Sequence, residues 1–253
     1  MVDANRIQEH AQRLLDAQER VQAVAGPTQL GDSLSVDEAF AVQAMVADRR
    51  AGDGSRRIRG YKAGLGAEPF TGRALARDVV FHGGDIPFAE MITPKVEPEL
   101  AFVVGERLEG DDLVVTDVLR ATDFVVPGLE IIDSRLEGGM GSPRSDLIAD
   151  NGSFGRAVLG TCPVGVAELD LADVAVELAQ DGKVMDRGRT DRASSHPAHA
   201  VVIVAALLHH LGMALEPGDF VLTGSCTTPL EAVAGTVVSA RFQGIGAVEV
   251  QFT

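Results

Sequence analysis

Two glutamates inside an apolar run set the tightest limit on how this chain folds. Residues 94–105 read Pro-Lys-Val-Glu-Pro-Glu-Leu-Ala-Phe-Val-Val-Gly. Side chains alternate across a β-strand, so Glu97 and Glu99 share one face of such a strand, about 7 Å apart. The positions around them are apolar on both faces, which predicts burial. Adjacent carboxylates taken out of water repel each other and lose hydration, so they persist beside a cation or another strong partner. A third acid, Glu130, stands in an equally apolar run at 125–132. Three converging carboxylates with no accompanying His or Cys form an oxygen-only ligand set for a hard divalent cation, Mg²⁺ or Mn²⁺. The competing reading leaves the pair in water on an edge strand, a place that Pro98 favours.

The rest of the chain reads as α+β. Residues 4–24 carry Ile7, Ala11, Leu14, Leu15, Ala17 and Val21 at helical spacing, with Gly26-Pro27 expected to end the helix. Ser35-Val36-Asp37-Glu38 has capping-box spacing and opens a second helix that runs to about Arg50 and breaks at 51–54. Strands are expected at 96–104, 114–119, 125–132, 157–159, 175–180, 220–223, 236–242 and 247–252. Asp181-Gly182 marks a hairpin, and helical spacing returns at 197–211, ending at Gly212. The expected division is an N-terminal helical layer over 1–56 and a Gly-rich mixed-sheet region over 57–253, together forming one structural unit.

Charge excludes several partners. The 253 residues carry a formal charge of −15, which argues against nucleic acid and anionic membranes as partners. No apolar run approaches the ~20 residues of a membrane-spanning helix. The polar start of the chain shows no secretory signal, and Cys162 and Cys226 are the only cysteines. A soluble, cytoplasmic protein is therefore expected.

Three further stretches hold candidate chemistry. In Gly60-Tyr61-Lys62-Ala63-Gly64-Leu65 a lone lysine has small or apolar neighbours, a setting for proton transfer or equally for a snorkelling side chain. Asp150-Asn151-Gly152-Ser153 and Gly224-Ser225-Cys226-Thr227-Thr228 are polar turns that serve either as ligand walls or as plain turns. Phosphate-binding, dinucleotide-binding, nucleophile-elbow and HExxH motifs are absent from the sequence. His196, His199, His209 and His210 lack acidic or Cys neighbours at ligand spacing and read as structural.

These motifs, in this order, resemble the fumarylacetoacetate hydrolase superfamily, and within it the 2-keto-4-pentenoate hydratase and 4-oxalocrotonate decarboxylase branch. The resemblance runs through GYKAGL at 60–65, PKVEPELAFVVG at 94–105, VVPGLEIIDSR at 125–135, DLIADNGSFGRAVLG at 146–160, HPAHAVVIVAALL at 196–208, LEPGDFVLTGS at 215–225 and FQGIGAVEVQF at 242–252. It implies a mixed β-roll or sandwich with flanking helices, assembled as a homo-oligomer. It implies a divalent cation on Glu97, Glu99 and Glu130, with Lys62, Asp150 and Ser153 as catalytic residues. Gly64, Leu65 and Ser225 are assigned to substrate binding. One segment departs from the branch pattern: Gly66-Ala67-Glu68-Pro69-Phe70-Thr71-Gly72-Arg73 stands where a substrate tail would be read.

The implied reaction is hydration of a 2-hydroxy-2,4-dienoate to a 4-hydroxy-2-oxo acid. The alternatives are decarboxylation of a 4-oxalocrotonate-like diacid and C–C hydrolysis of an acylpyruvate, the latter using His82 with Glu90. A non-catalytic assembly subunit is the reading from another class.

Overall fold

The computed structural model describes residues 3–52 and 58–253. The expected break at 53–54 and the boundary at 56/57 lie outside the described residues. Helix α1 (Ala4–Glu19) is capped by Asp3, whose side chain accepts from Asn5 N–H at 3.0 Å. It stops at Glu19 rather than near residue 24. Val21 adopts φ +52, and the chain then runs extended, Val24 N–H donating to Arg135 O at 2.9 Å. Helix α2 (Val36–Ala51) opens with the expected capping box between Ser35 and Glu38.

The first sheet contains β1 (Ile58–Gly64), β2 (Phe70–Leu75) and the short β3 (Val79–Phe81), followed by β4 (Gly84–Ile86) of the second sheet. Next come β5 (Lys95–Val104), α3 (Val115–Ala121), β6 (Thr122–Ile132), α4 (Arg144–Ala149) and β7 (Phe154–Leu159). The hairpin β8 (Ala175–Gln180) and β9 (Lys183–Arg189) precedes α5 (Ala198–His210). The chain closes with β10 (Phe220–Leu222), β11 (Leu230–Glu231), β12 (Val237–Phe242) and β13 (Gly246–Phe252). One sheet runs β2-β1-β10-β5-β6-β7-β3, with β11 also on β5; the other runs β4-β13-β12-β8-β9.

The strand expected at 114–119 is helical instead. Val115, Val118 and Leu119 are spaced for a helix face, and Asp117 accepts the Val114 N–H at 3.0 Å. Packing of that face against α5 outweighs the β-propensity of the valines. The hairpin is as expected, with Asp181 and Gly182 at φ +49 and +77, the signs a type I′ turn requires.

Leu100, Phe102, Leu129 and Ile131 of β5 and β6 pack with Val238, Ala240, Val248 and Val250 of β12 and β13 into one buried core. This is the α+β sandwich the resemblance implies. Strand alternation sends Glu97, Glu99 and Glu130 to the opposite face of the first sheet, away from that core. There α1, α2 and α4 form a second apolar cluster through Ile7, Leu14, Phe40 and Ile148, joined by Leu136 from the segment between β6 and α4. The buried Gln43 amide ties this layer down, donating to Thr71 O at 2.9 Å and Ile148 O at 3.0 Å. No described helix is long and apolar enough to cross a membrane.

Candidate active site

Strand β5 is central, which removes the edge-strand reading. It pairs with β6 along its whole length and with β10 and β11 on its other side. Pro98 is tolerated because it falls where β10 has ended and β11 has not begun. The loop at 223–229 leaves the sheet through that gap, and Gly224 N–H donates to Glu99 Oε2 at 2.6 Å. The β5–β6 register sets Glu97 directly opposite Glu130. One oxygen from each of Glu97, Glu99 and Glu130 lies within 4.8 Å of the others, and all three residues are buried.

Lys62 of β1 completes the group, its Nζ 3.3 Å from Glu130 Oε1. That oxygen is fully buried and accepts no hydrogen bond, so the lysine is its ion-pair neighbour only. Three carboxylates against one ammonium leave two surplus negative charges, the charge of one divalent cation. The donors are all hard oxygens, and an acceptor stands without a donor. The site fits Mg²⁺, Mn²⁺ or Ca²⁺ chemistry.

The electrostatics agree with a missing positive charge. Burial pushes Glu97 up to about 7, reinforced by Glu130 and opposed by Lys62, Arg192 and the Ser225 hydroxyl. Burial also drives Glu99 well above the usual carboxylate range, with Glu130 and Glu97 adding to it against the Gly224 N–H. For Lys62, burial works to lower its value, but Glu130, Glu99 and Glu97 together raise it above that of an ordinary lysine.

A cavity of about 390 Å³ opens over these groups, lined also by Gly64, Leu65 and Ser225. Phe70, from the 66–73 segment, and Gly152, from the 150–153 turn, line it too, with Met140, Leu147, Arg192 and Ala193, which the sequence did not single out. A larger cavity of about 760 Å³ lies elsewhere, walled by Phe81, Phe124, Val126 and Phe220, and holds no carboxylate.

Asp150 and Ser153 are placed differently from the other candidates. Neither lines the cavity. Asp150 is buried beneath it, accepting from Arg135 Nε at 2.6 Å and Ser134 Oγ at 2.8 Å. The Ser153 hydroxyl points at Asp150 Oδ2 over 3.4 Å. Both hold a turn in which Asn151, Gly152 and Ser153 all have positive φ. Gly152 is required there, since a Cβ would sit 2.7 Å from Lys62 Cε. His82 and Glu90 do not form a pair. His82 Nδ1 accepts the Glu249 N–H at 3.1 Å, while Glu90 faces Arg156 at 3.6 Å.

Residues 68–253 match the fumarylacetoacetate (FAA) hydrolase C-terminal family. The chain belongs to that family. Among its relatives, the 2-oxo-hept-4-ene-1,7-dioate hydratase of Escherichia coli is 32% identical, with 96% of each chain covered. The 2-keto-4-pentenoate hydratase of Paraburkholderia phymatum is 31% identical, with 100% of each covered. The fold superposes with a TM-score of 0.94 on the 4-oxalocrotonate decarboxylase of Pseudomonas putida G7, solved with magnesium and adipate. That pair is 27% identical and aligns over 100% of this chain and 99% of the other. The buried acid trio is therefore found in an FAA hydrolase family member whose similar relatives include metal-complexed enzymes.

Proposed function

We propose that this chain is a divalent-metal-dependent hydro-lyase that adds water to a 2-hydroxy-2,4-dienoate of the 2-keto-4-pentenoate type. The product is a 4-hydroxy-2-oxo acid. The observation that carries the reading is the buried meeting of Glu97, Glu99 and Glu130 with Lys62 in one cavity. The hydratase relatives supply the substrate class.

In this reading Glu97, Glu99 and Glu130 hold Mg²⁺ or Mn²⁺. When bound, the cation withdraws charge from the carboxylate and 2-oxygen of the substrate head and favours the enolate form. Lys62 holds a proton at Nζ and delivers it to C5 of the dienol as the 2-hydroxyl gives up its own, so the proton count is unchanged and a C3–C4 double bond is left conjugated to the 2-oxo group. Water then adds its oxygen at C4 and a proton at C3. Gly64, Leu65, Phe70 and Leu147 form the wall that holds the carbon chain and limits solvent. Ser225 stabilises the charged form of Glu97. Asp150 and Ser153 act by position, keeping the 150–153 turn against Lys62, rather than by touching water or substrate. The reading includes a homo-oligomer, as the family resemblance implies, and a cytoplasmic setting, as the two cysteines and the polar start of the chain suggest.

Decarboxylation is the second reading, favoured by the TM-score of 0.94 to the decarboxylase. It draws on the same enolate and needs no added water. C–C hydrolysis loses its proposed pair, because neither His82 nor Glu90 lines the cavity. Product analysis with Mg²⁺-loaded protein and a 2-hydroxy-2,4-dienoate tests the choice. A product that keeps every carbon and gains one water is expected. Release of CO₂ from a vinylogous diacid without any hydrated product from the dienoate would overturn hydration.

A further inference from the structure

The cavity contains two cations of different status. Lys62 is buried at the floor and engaged by Glu130. Arg192 is exposed at the mouth, on the segment joining β9 to α5. Nearby arginines are already matched: Arg187 meets Glu177 at 2.8 Å, and Arg189 meets Asp173 and Asp191. Among the described residues the Arg192 guanidinium has no ion pair and no side-chain hydrogen bond. Its backbone N–H alone is engaged, donating to Arg189 O at 3.2 Å. It favours the charged forms of Glu97 and Asp186 from a distance without pairing with either.

Much of the remaining wall is apolar, formed by Leu65, Phe70, Met140 and Leu147. Such a wall carries a carbon chain from the glutamate floor outward but offers it no polar partner. A substrate head seated among the three glutamates leaves Arg192 to whatever the tail presents. A guanidinium with five free donors matches a carboxylate in charge and in fork geometry.

We propose that Arg192 is a specificity-determining residue that binds a second carboxylate on the substrate's tail, so that the site prefers dioates to the corresponding monoacids. This deepens the hydro-lyase reading and rests on it for the head group alone. The side chain is exposed, so its removal leaves the core untouched.

The test is calorimetric titration of the Mg²⁺-loaded chain with 2-oxoadipate and with 2-oxohexanoate, which have equal carbon counts and differ at the far end. The wild type is expected to bind the diacid about tenfold more tightly, in line with a charge-assisted contact near solvent. Arg192→Met is expected to erase that preference while leaving monoacid affinity within about twofold, and Arg192→Lys to restore part of it. Equal weakening of both ligands would show that Arg192 serves Glu97 or the head group, and would overturn the proposal. So would a wild type with no preference or no binding of either acid. Turnover separates this outcome from the fate of the hydro-lyase reading. Equal hydration of a diacid and a monoacid dienoate sinks the tail contact and leaves hydration standing. Arg192-dependent diacid binding without hydration of any dienoate does the reverse.

Discussion

Replacing Lys62 with Met is expected to lower dienoate turnover about 100- to 10,000-fold, the range for loss of a positioned proton-transfer group. The side chain is buried and its ammonium faces the glutamate trio, so no solvent lysine substitutes for it. Methionine keeps the packing against Phe70 and Gly152 but carries no proton to deliver. Removing a positive charge beside three carboxylates does not weaken their hold on a cation, so Mn²⁺ affinity is expected to be retained or increased. Steady-state loss of dienoate ultraviolet absorbance, read alongside a Mn²⁺ titration of the same sample, checks both halves. Turnover within about tenfold of wild type would remove Lys62 from the chemistry.

The second large effect is on stability. Arg135 lies under the site and donates to Asp150 Oδ1 at 2.6 Å, Asp133 O at 2.6 Å and Phe154 O at 2.8 Å, and also to Asp150 O. Burial pushes Asp150 up, and Arg135 is the first of the groups that oppose this. Arg135→Met strands a buried carboxyl and several carbonyls, and is expected to cost about 3–5 kcal/mol of unfolding free energy. Urea denaturation of cation-loaded protein measures it. The double variant Arg135→Met/Asp150→Leu is expected to recover part of the loss, because an unpaired charge costs more than an absent pair. A single variant within about 1 kcal/mol of wild type would contradict this role. Arg135 also supports catalysis indirectly, since the turn it anchors sets Gly152 against Lys62.

What the sequence disclosed depended on how local the signal was. The alternation of Glu97 and Glu99 is a property of one strand, and the burial of both was legible from their apolar neighbours. That Glu130 stands opposite Glu97 depends on the β5–β6 register, to which the family resemblance pointed and which residue spacing alone did not show. Pro98 pointed to an edge strand because a break in the neighbouring strands, between residues 222 and 230, has no local mark. Asp150 stood out as an acid in a glycine-rich turn, but its partner Arg135 is fifteen residues away and gave no sign of pairing. Arg192 was hidden for the converse reason. Arg187, Arg189 and Arg192 look alike in sequence, and the tertiary partners of the first two distinguish the third. The 115–121 helix was obscured by valines, whose β-propensity is weaker than the pull of a helix face packed on α5.

The acid trio as a cation site is tested most directly by calorimetric titration of chelator-treated protein with Mn²⁺ at about pH 8 and about pH 5.5. Glu97 is raised to about 7 and Glu99 well above its usual range. Without a cation, the raised Glu97 therefore favours the fold below the ordinary carboxylate pKa, its contribution is lost as pH rises through about 7, and the raised Glu99 acts in the same sense. A bound cation must displace those protons, so its affinity falls as pH drops through the same range. The expected result is one ion per chain at the higher pH and clearly weaker binding at the lower. No binding at either pH, or binding indifferent to acidification, would contradict a divalent cation held by Glu97, Glu99 and Glu130.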